Sequence, residues 1–365
     1  MKRELDAGHP AAGREVAMKQ SGRGVLATLL AALALAACGR EDADAPAPGA
    51  EADTAVVAPV GSLAVVEYAI PRADAFPHDP AVGADGIVWY TDQRNSFIGR
   101  LDPETGAFQD WPTPTAASGP HGITVAPDGG VWYTGNAAGR LGRLDPATGE
   151  IREYATEGAG DPHTLVVHRG AVWFTVQQGN GVGRLDPASG DVEVWPVEPA
   201  GARPYGIVPA PDGTLWVALF GANRLLRIHP DPQPAFESVE LPDSASRPRR
   251  LAVDADGVVW YTDYPRGKIG RYDPGDGSFD ELDTPTPNGQ PYGIAVGPDG
   301  RLWYDEASSG LMVALDPATR EQETVRIPTP NAIVRHMVTD SARSRIWLAL
   351  SGTGRIGRID APARP

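Results

Sequence analysis

The feature that most constrains this chain is a tryptophan that recurs at a nearly constant interval. Its seven copies are separated by 43, 41, 43, 44, 43 and 44 residues, and Asp-Gly stands shortly before five of them. The copies are Trp89, Trp132, Trp173, Trp216, Trp260, Trp303 and Trp347. Repeats of roughly 40–50 residues are typical of propellers, solenoids and arrays, so the chain is expected to fold as copies of one unit.

One copy, residues 120–155, contains four short segments with the composition of β-strands. Residues 121–126 and 140–144 alternate apolar and polar side chains, and residues 131–134 are β-branched or aromatic. Strands of about five residues between regular turn signals indicate antiparallel sheet. Seven such units predict an all-β fold, a seven-bladed β-propeller of four-stranded antiparallel blades.

The two ends of the chain predict how the ring closes. The seventh repeat stops after residues 355–360 and has no fourth strand. Residues 62–70 have the composition of a fourth strand and precede the first repeat. We expect this N-terminal strand to complete the last blade, which would leave no exposed sheet edge. An open solenoid is the alternative.

The N-terminal region has the pattern of a bacterial secretory signal. Lys19 and Arg23 precede an apolar run over residues 25–37, which is short for a transmembrane helix. The run ends in Leu35-Ala-Ala-Cys38, which resembles a lipobox and predicts cleavage before Cys38 with a diacylglyceryl group on its sulfur. We expect an exported protein with a lipid anchor in the membrane. A cleaved, soluble periplasmic protein is the alternative.

Composition divides the chain into three segments. Residues 1–37 are the leader and signal peptide, with Met18 as the expected true start, residues 38–60 are the lipidated cysteine and a flexible linker, and residues 61–365 are the propeller. Cys38 is the single cysteine, so no internal disulfide can form. The formal net charge of −15 argues against nucleic acid as a partner. We expect a monomer that binds a small molecule or peptide.

Each repeat has a large polar or aromatic residue where its first strand begins. The entries read Pro77-His78, Pro120-His121, Pro162-His163, Pro204-Tyr205, Pro248-Arg249, Pro291-Tyr292 and Arg335-His336. Four of the seven histidines of the protein occupy this position in that alignment. Because first strands surround the central channel of a propeller, we expect these side chains to form a polar, aromatic-lined funnel. Alternatively, they cap the strand entries and face bulk water.

Departures from the repeat indicate where a site could lie. After its second strand the fourth repeat carries Phe220 and then Asn223. The fifth repeat carries Arg249 and Arg250 where its neighbours have Tyr-Gly. Two guanidinium groups at one entry could bind a carboxylate or phosphate through bidentate hydrogen bonds. An ion pair with Asp263 is the alternative.

The repeated unit resembles the virginiamycin B lyase (streptogramin lyase) family. The resemblance rests on Pro-His-Gly-Ile, Asp-Gly, Val-Trp-Tyr-Thr, Leu-Gly-Arg-Leu-Asp-Pro and Thr-Gly, and it covers roughly residues 62–360. It implies a seven-bladed propeller and an elimination, assisted by a divalent cation, that opens a cyclic depsipeptide at its ester. It also implies a funnel with Pro-His on one blade, Glu-Pro-His and a later Glu on the next, and Pro-Tyr-Gly-Ile on the third.

Two alignments place these motifs on the sequence. Blade-by-blade matching from the N terminus puts His336 at the catalytic histidine but Tyr292, Val334 and Ser351 at the other functional positions. An alignment rotated around the ring fits better, with Asp and Gln replacing two glutamates. It selects His121, Asp161, His163, Gln177 and Tyr205.

The resemblance implies a role for each residue of the rotated alignment. His163 would be the base, and His121 would bind or protonate the leaving oxygen. Asp161 and Gln177 would hold Mg²⁺ or another divalent cation that polarises the substrate carbonyl. The expected substrate-binding residues are Tyr205, Phe220, Asn223, Arg249, Arg250, Tyr264 and Tyr292. The expected activity is that of a carbon–oxygen lyase.

Two other functions fit the same pattern. A lactonase-like hydrolase would need a central metal, for which Asp92, Asn223, Asp263 and Glu306 are the candidate ligands. A non-catalytic propeller at the cell surface would bind a peptide, glycan or small ligand. A stoichiometric divalent cation in the purified protein would favour the enzymes, because fold alone does not determine function.

Overall fold

Each sequence repeat forms one sheet, with the recurring tryptophan on its second strand. The computed structural model describes residues 63–156, 158 and 160–361. In these residues 28 strands form seven four-stranded antiparallel sheets. β-branched and aromatic residues favour the strands, and Pro, Asp and Gly favour the turns between them. The predicted all-β, seven-bladed propeller is confirmed.

The strands are short and follow one another in a fixed order within each blade. They are β1 Val65–Ala69, β2 Pro77–Val82, β3 Val88–Asp92, β4 Phe97–Leu101, β5 Phe108–Pro112, β6 Pro120–Val125, β7 Val131–Gly135, β8 Arg140–Leu144, β9 Ile151–Ala155, β10 Pro162–His168, β11 Ala171–Val176, β12 Gly181–Leu185, β13 Val192–Pro196, β14 Pro204–Pro209, β15 Leu215–Leu219, β16 Arg224–His229, β17 Ala235–Glu240, β18 Pro248–Val253, β19 Val259–Asp263, β20 Lys268–Asp273, β21 Ser278–Asp283, β22 Pro291–Val296, β23 Leu302–Glu306, β24 Leu311–Leu315, β25 Gln322–Arg326, β26 Val334–Asp340, β27 Arg345–Leu350 and β28 Arg355–Asp360. Two short 3-10 helices, Tyr264–Arg266 and Ser341–Arg343, follow β19 and β26.

The N-terminal strand β1 completes the last blade, as predicted. It lies antiparallel to β28, with Val65 opposite Ile359 and Ala69 opposite Arg355. The sheet order of this blade is β1-β28-β27-β26. First strands of adjacent blades contact one another around the whole ring, including β2 against β26. The propeller is therefore closed, and the alternative of an open solenoid is excluded.

Aromatic residues of the second strands form the core between blades. Trp132 packs with Tyr154 of its own blade and with Leu165 of the next blade. Tyr133 points to the opposite face and lies over Gly142, where an added Cβ would come within 2.1 Å of the tyrosine ring. The third strand of this blade therefore needs glycine at position 142 so that the Tyr133 ring can pack against it.

All described residues belong to one compact unit. Among them, no helix has the length and apolar character required to cross a bilayer. The predicted signal peptide, the linker and Cys38 lie outside the described residues.

Candidate functional site

The first strands carry a ring of side chains around the central axis, which we call the collar. In each blade, one residue of the first strand lies opposite the recurring tryptophan of the second strand. The collar residue comes three positions before that first-strand residue. The collar consists of His78, His121, His163, Tyr205, Arg249, Tyr292 and Arg335.

The seventh blade differs by one residue from the sequence-based alignment. Val338 pairs with Trp347, so Arg335 occupies the collar position and His336 lies one residue deeper. The expectation that His336 shares the entry position was therefore wrong. The proline that marks the register in the other six repeats is replaced by Val334, and the Arg-His pair was aligned on its histidine.

A β-bulge fixes the position of each collar histidine, and a threonine of the preceding blade also holds His121 and His163. In the third blade the register of β10 on β11 shifts between Pro162 and Leu165, which places His163 on the bulge. Bulges redirect side chains. Thr134 of the preceding blade accepts the Gly122 N–H and donates to the His163 carbonyl, both at 2.8 Å. Hydroxyl groups of three other threonines likewise donate to the backbone carbonyl of the collar residue in the next blade. These are Thr91, Thr175 and Thr262.

Three consecutive collar residues form a row of buried imidazoles whose planes are tilted by 42° and 43°. Ring centroids of His78 and His121 are 3.8 Å apart and those of His121 and His163 are 3.7 Å apart. Tyr205 continues the row, 4.0 Å from His163. Each histidine is only 4% exposed, so none of them faces bulk water. Burial lowers the pKa of all three imidazoles, which are therefore neutral at pH 7.

Below the collar, an ion pair crosses the axis from the fifth blade to the first. Arg250 Nη2 donates to Asp79 Oδ1 at 2.8 Å, and Arg250 Nη1 donates to Thr164 Oγ1 at 3.3 Å. Burial acts to raise the pKa of Asp79, but the charge of Arg250, together with His336 and the hydrogen bond from His78, outweighs it and the pKa is lowered. Arg250 is only 1% exposed, so its position does not fit the predicted role in substrate binding. Its partner is Asp79 rather than Asp263.

Arg249 lies at the more accessible side of the collar among four aromatic rings. Its guanidinium carbon is 3.9 Å from the Tyr292 ring centroid, 4.9 Å from Tyr205, 5.0 Å from Phe220 and 5.0 Å from Tyr264. Arg249 Nη2 donates to the Tyr205 hydroxyl at 3.2 Å. The Tyr205 and Tyr292 hydroxyls also share a hydrogen bond. These five predicted substrate-binding residues thus lie together, and we call them the mouth.

Asn223, the remaining predicted substrate-binding residue, lies away from the mouth. Its amide donates to the Leu241 carbonyl at 3.0 Å, next to the start of β16 and the end of β17. Asn180 makes the equivalent bond to Val197 in the preceding blade. The Asn223 side chain therefore joins the two outer strands of its blade.

The predicted metal ligands lie beside the collar rather than in it. Asp161 Oδ1 accepts the N–H groups of Gln178 at 2.7 Å and Gly179 at 3.3 Å. Asp161 and Gln177 line a surface depression of about 730 Å³ between the second and third blades. Mg²⁺ favours about six oxygen ligands, with carboxylates among them. One carboxylate already bound by two backbone amides, together with one side-chain amide, does not fit that requirement.

A group with metal-binding side chains lies at the collar and just below it. His78, Asp79 and His121 each place one ligand atom within 4.8 Å of the others. Asp79 Oδ1, however, already contacts His78 Nδ1 at 2.9 Å and Arg250 Nη2 at 2.8 Å. A guanidinium next to the carboxylate opposes the binding of a cation, so these residues form a buried ion pair rather than a metal site.

The carboxylates proposed for a lactonase-like centre are used in turns. Asp92 pairs with Arg72 at 3.1 Å, and Asp263 pairs with Arg266 at 3.1 Å. Glu306 accepts a backbone N–H of the preceding turn at 2.9 Å. Within the described ranges these carboxylates form no common ligand group. Their geometry gives no support to a central metal hydrolase.

Sequence reasoning missed two buried acids near the collar, Asp79 and Asp305. Asp79 and Arg250 carry opposite charges at equivalent repeat positions where most blades have small residues, and that signal was available in the sequence. Asp305 stands where four blades have the bridging threonine, and its Oδ1 accepts the Gly293 N–H at 2.6 Å. Burial raises the pKa of Asp305 to about 7.

The fold and the collar place the chain in the class of seven-bladed β-propellers that gather polar groups at one end of the central axis. The sequence matches the Virginiamycin B lyase family over residues 58–220 and 190–364. The chain therefore belongs to that family. None of the curated proteins matches this sequence.

Solved structures of the family share the whole ring. Virginiamycin B lyase from Staphylococcus aureus is 26% identical, with a TM-score of 0.76, and covers 82% of this chain and 100% of its own. A catalytically inactive histidine-to-alanine variant of that enzyme, solved with quinupristin, is 25% identical with the same TM-score and coverage. The extracellular domain of a one-component system from B. thetaiotaomicron is 15% identical, has a TM-score of 0.62, covers 82% of this chain and 46% of its own, and shows the fold alone.

Proposed function

We propose that this protein is a carbon–oxygen lyase that opens an ester by elimination at the mouth of the propeller. The observation that carries the proposal is the row of neutral imidazoles that ends beside the mouth. The ring centroids of His163 and Tyr205 are 4.0 Å apart. The solved relative that lacks one histidine is catalytically inactive. A positioned imidazole is the usual general base near neutral pH.

In this mechanism His163 accepts a proton from the carbon next to the substrate carbonyl. The electron pair of the C–H bond forms a double bond to the neighbouring carbon that carries the ester oxygen, the bond between that neighbouring carbon and the oxygen breaks, and the acyl part leaves as a carboxylate. Arg249 contacts the same tyrosine ring as His163 and is placed to bind that carboxylate. His121 lies next to His163 and can hydrogen-bond the leaving oxygen. Because Asp161 and Gln177 do not fit Mg²⁺, no step is assigned to a metal.

Turnover of quinupristin tests the proposal, because this compound accompanies a solved relative. Elimination within a ring gives an opened product of unchanged mass with a new double bond, whereas hydrolysis adds the mass of one water. We expect the first product from the wild-type protein. We expect His163→Ala to lower kcat by about 10²–10⁴-fold, the range for loss of a general base.

The matched control is His229→Ala. His229 belongs to the third strand β16, and its side chain is 43% exposed. We expect this variant to retain wild-type turnover. If His163→Ala, shown to be folded by urea denaturation, turned over quinupristin as fast as His229→Ala, the assignment of the base would be wrong.

A second candidate is a non-catalytic, ligand-binding propeller. The observation that favours it is the burial of the collar, since His121 and His163 are each 4% exposed and Arg250 closes the axis beneath them. Both candidates require a ligand at the mouth, but a binding propeller leaves it chemically unchanged. Recovery of intact ligand from a stable complex would select this second function.

We further propose that the protein is exported and anchored by a lipid on Cys38, as the sequence pattern before it predicts. Mass spectrometry of the mature protein should find a diacylglyceryl cysteine at the N terminus. An N terminus elsewhere, or an unmodified Cys38, would contradict the lipid anchor.

A further inference from the structure

Arginine and aromatic side chains alternate along one side of the mouth, in a series that we call the rim arc. Its members, in spatial order, are Arg203, Phe220, Arg249, Tyr292, Arg335, Phe76 and Arg94. The arc draws on residues from five of the seven blades. No single repeat contains it, so it is a product of the closed ring.

The spacing along the rim arc is set by shared rings. The guanidinium carbons of Arg203 and Arg249 lie 5.5 Å and 5.0 Å from the centroid of Phe220. Those of Arg249 and Arg335 lie 3.9 Å and 5.6 Å from the centroid of Tyr292. Each aromatic ring therefore holds two positive charges within reach of one ligand.

Arg335 of the seventh blade and Arg94 of the first continue the series on either side of Phe76. Their guanidinium carbons lie 5.7 Å and 4.5 Å from the centroid of Phe76. Arg94 is exposed, and Arg335 is partly exposed. The arc therefore extends from the buried collar to the solvent.

The rim arc contains four arginines, Arg94, Arg203, Arg249 and Arg335. None of them forms an ion pair with any residue that the structure describes. Many other arginines are paired, and Arg266 contacts the carboxylates of Asp243, Asp263 and Glu281. Buried Nε atoms of Arg203 and Arg249 also lack an acceptor among the described residues. A buried donor without an acceptor is costly, so these groups are suited to binding a ligand.

Like charges held close together repel one another, and an anion between them removes that repulsion. A guanidinium stacked on an aromatic ring keeps its N–H groups in the plane of the fork, where they match the two oxygens of a carboxylate or phosphate. Burial raises the pKa of Asp305, the charge of Arg249 acts only weakly against that rise, and Asp305 Oδ1 accepts the Gly293 N–H at 2.6 Å. The cationic arc is unusual in a chain with a formal net charge of −15.

We propose that the rim arc binds an oxyanion, a carboxylate or a phosphate, carried by a small ligand with a planar or apolar body. The oxyanion takes the guanidinium N–H groups, and the body packs on Phe220 and Tyr264. This inference names the substrate class of the mouth and in that sense rests on the proposed function. The arc has three arginines besides Arg249, which was assigned to the leaving carboxylate, so it has room for an anionic group of the ligand as well.

Calorimetric titration with small probes tests the proposal. Benzoate and phenyl phosphate carry the oxyanion on an aromatic body, while benzamide and phenol are their uncharged counterparts. Inorganic phosphate supplies the charge without the body. We expect benzoate, phenyl phosphate or both to bind more tightly than inorganic phosphate. The neutral probes should show no binding. Added NaCl should lower the affinity for the anionic probes.

Arg249→Gln should weaken binding of the anionic probes about ten-fold or more, because it removes charge-assisted hydrogen bonds. Arg203→Gln and Arg335→Gln, which are less central, should each weaken it less. Arg152→Gln is the matched control, since Arg152 also stacks on an aromatic ring, Tyr154 at 4.7 Å, on an outer strand. This control should bind the probes like the wild type.

Equal affinity for benzoate and benzamide, or unchanged affinity in all three rim-arc variants, would overturn the proposal. Because binding is measured at equilibrium, the result does not depend on turnover. If the protein bound the anionic probes but showed no lyase activity, the proposed anion site would stand and the proposed enzymatic function would be wrong. Turnover of neutral esters at the same kcat/KM as matched anionic esters would overturn the anion site and keep the enzyme.

Discussion

At the scale of single residues, Asp305 shows how one substitution in a repeat changes its chemistry. In four blades a threonine accepts an N–H from its own first strand and donates to the collar carbonyl of the next blade. Asp305 accepts the Gly293 N–H through Oδ1, but Oδ2 is buried without a partner among the described residues. A carboxylate cannot donate, so only the protonated acid can replace the hydroxyl of threonine.

Asp305→Thr should therefore stabilise the protein at alkaline pH. The folded-state pKa of Asp305, about 7, is raised above its ordinary value of 3.8. Its contribution to stability is thus full below the ordinary value and is lost as the pH rises through 7. We expect the variant to exceed the wild type at pH 8 by about 1–3 kcal/mol in free energy of unfolding, and by less at pH 5.

Urea denaturation at both pH values measures this difference. Asp74→Thr, at an exposed position, is the control and should show the same difference from the wild type at pH 5 and pH 8. A gain for Asp305→Thr that is equal at the two pH values, or a loss at pH 8, would show that Asp305 is not a buried acid that titrates near neutrality.

At the scale of the strand, most of the fold could be predicted and the site only in part. The period of the tryptophan, the turn signals and the orphan strand at residues 62–70 determine the blades and their closure. Proline before each collar residue marks the bulge in six blades, and its absence in β26 caused the error of one residue at His336. Local sequence patterns thus predict where the strands are. Where no proline marks the bulge, the register of a strand is known only from its pairing with the neighbouring strand.

At the scale of the whole molecule, contacts across the axis lie beyond what a repeat can predict. Arg250 and Asp79 are 171 residues apart in sequence, and their ion pair depends on the diameter of the closed ring. The repeat positions of Arg250 and Asp79 indicated that these two could pair, but the burial of Arg250 beneath the collar, while Arg249 lies in the mouth, depends on the closed ring. The rim arc also arises only when five blades are brought together.

The central claim is that ligands of this protein bind at the mouth, and hydrogen–deuterium exchange with and without saturating quinupristin or phenyl phosphate tests it most directly. Turns 220–222 and 264–267 contain the mouth residues Phe220 and Tyr264, and their amides should exchange more slowly in the complex. Amides of turn 177–180, beside the Asp161 depression, should be unaffected. Protection confined to turn 177–180 or to the outer strands, in a sample with bound ligand, would contradict the claim.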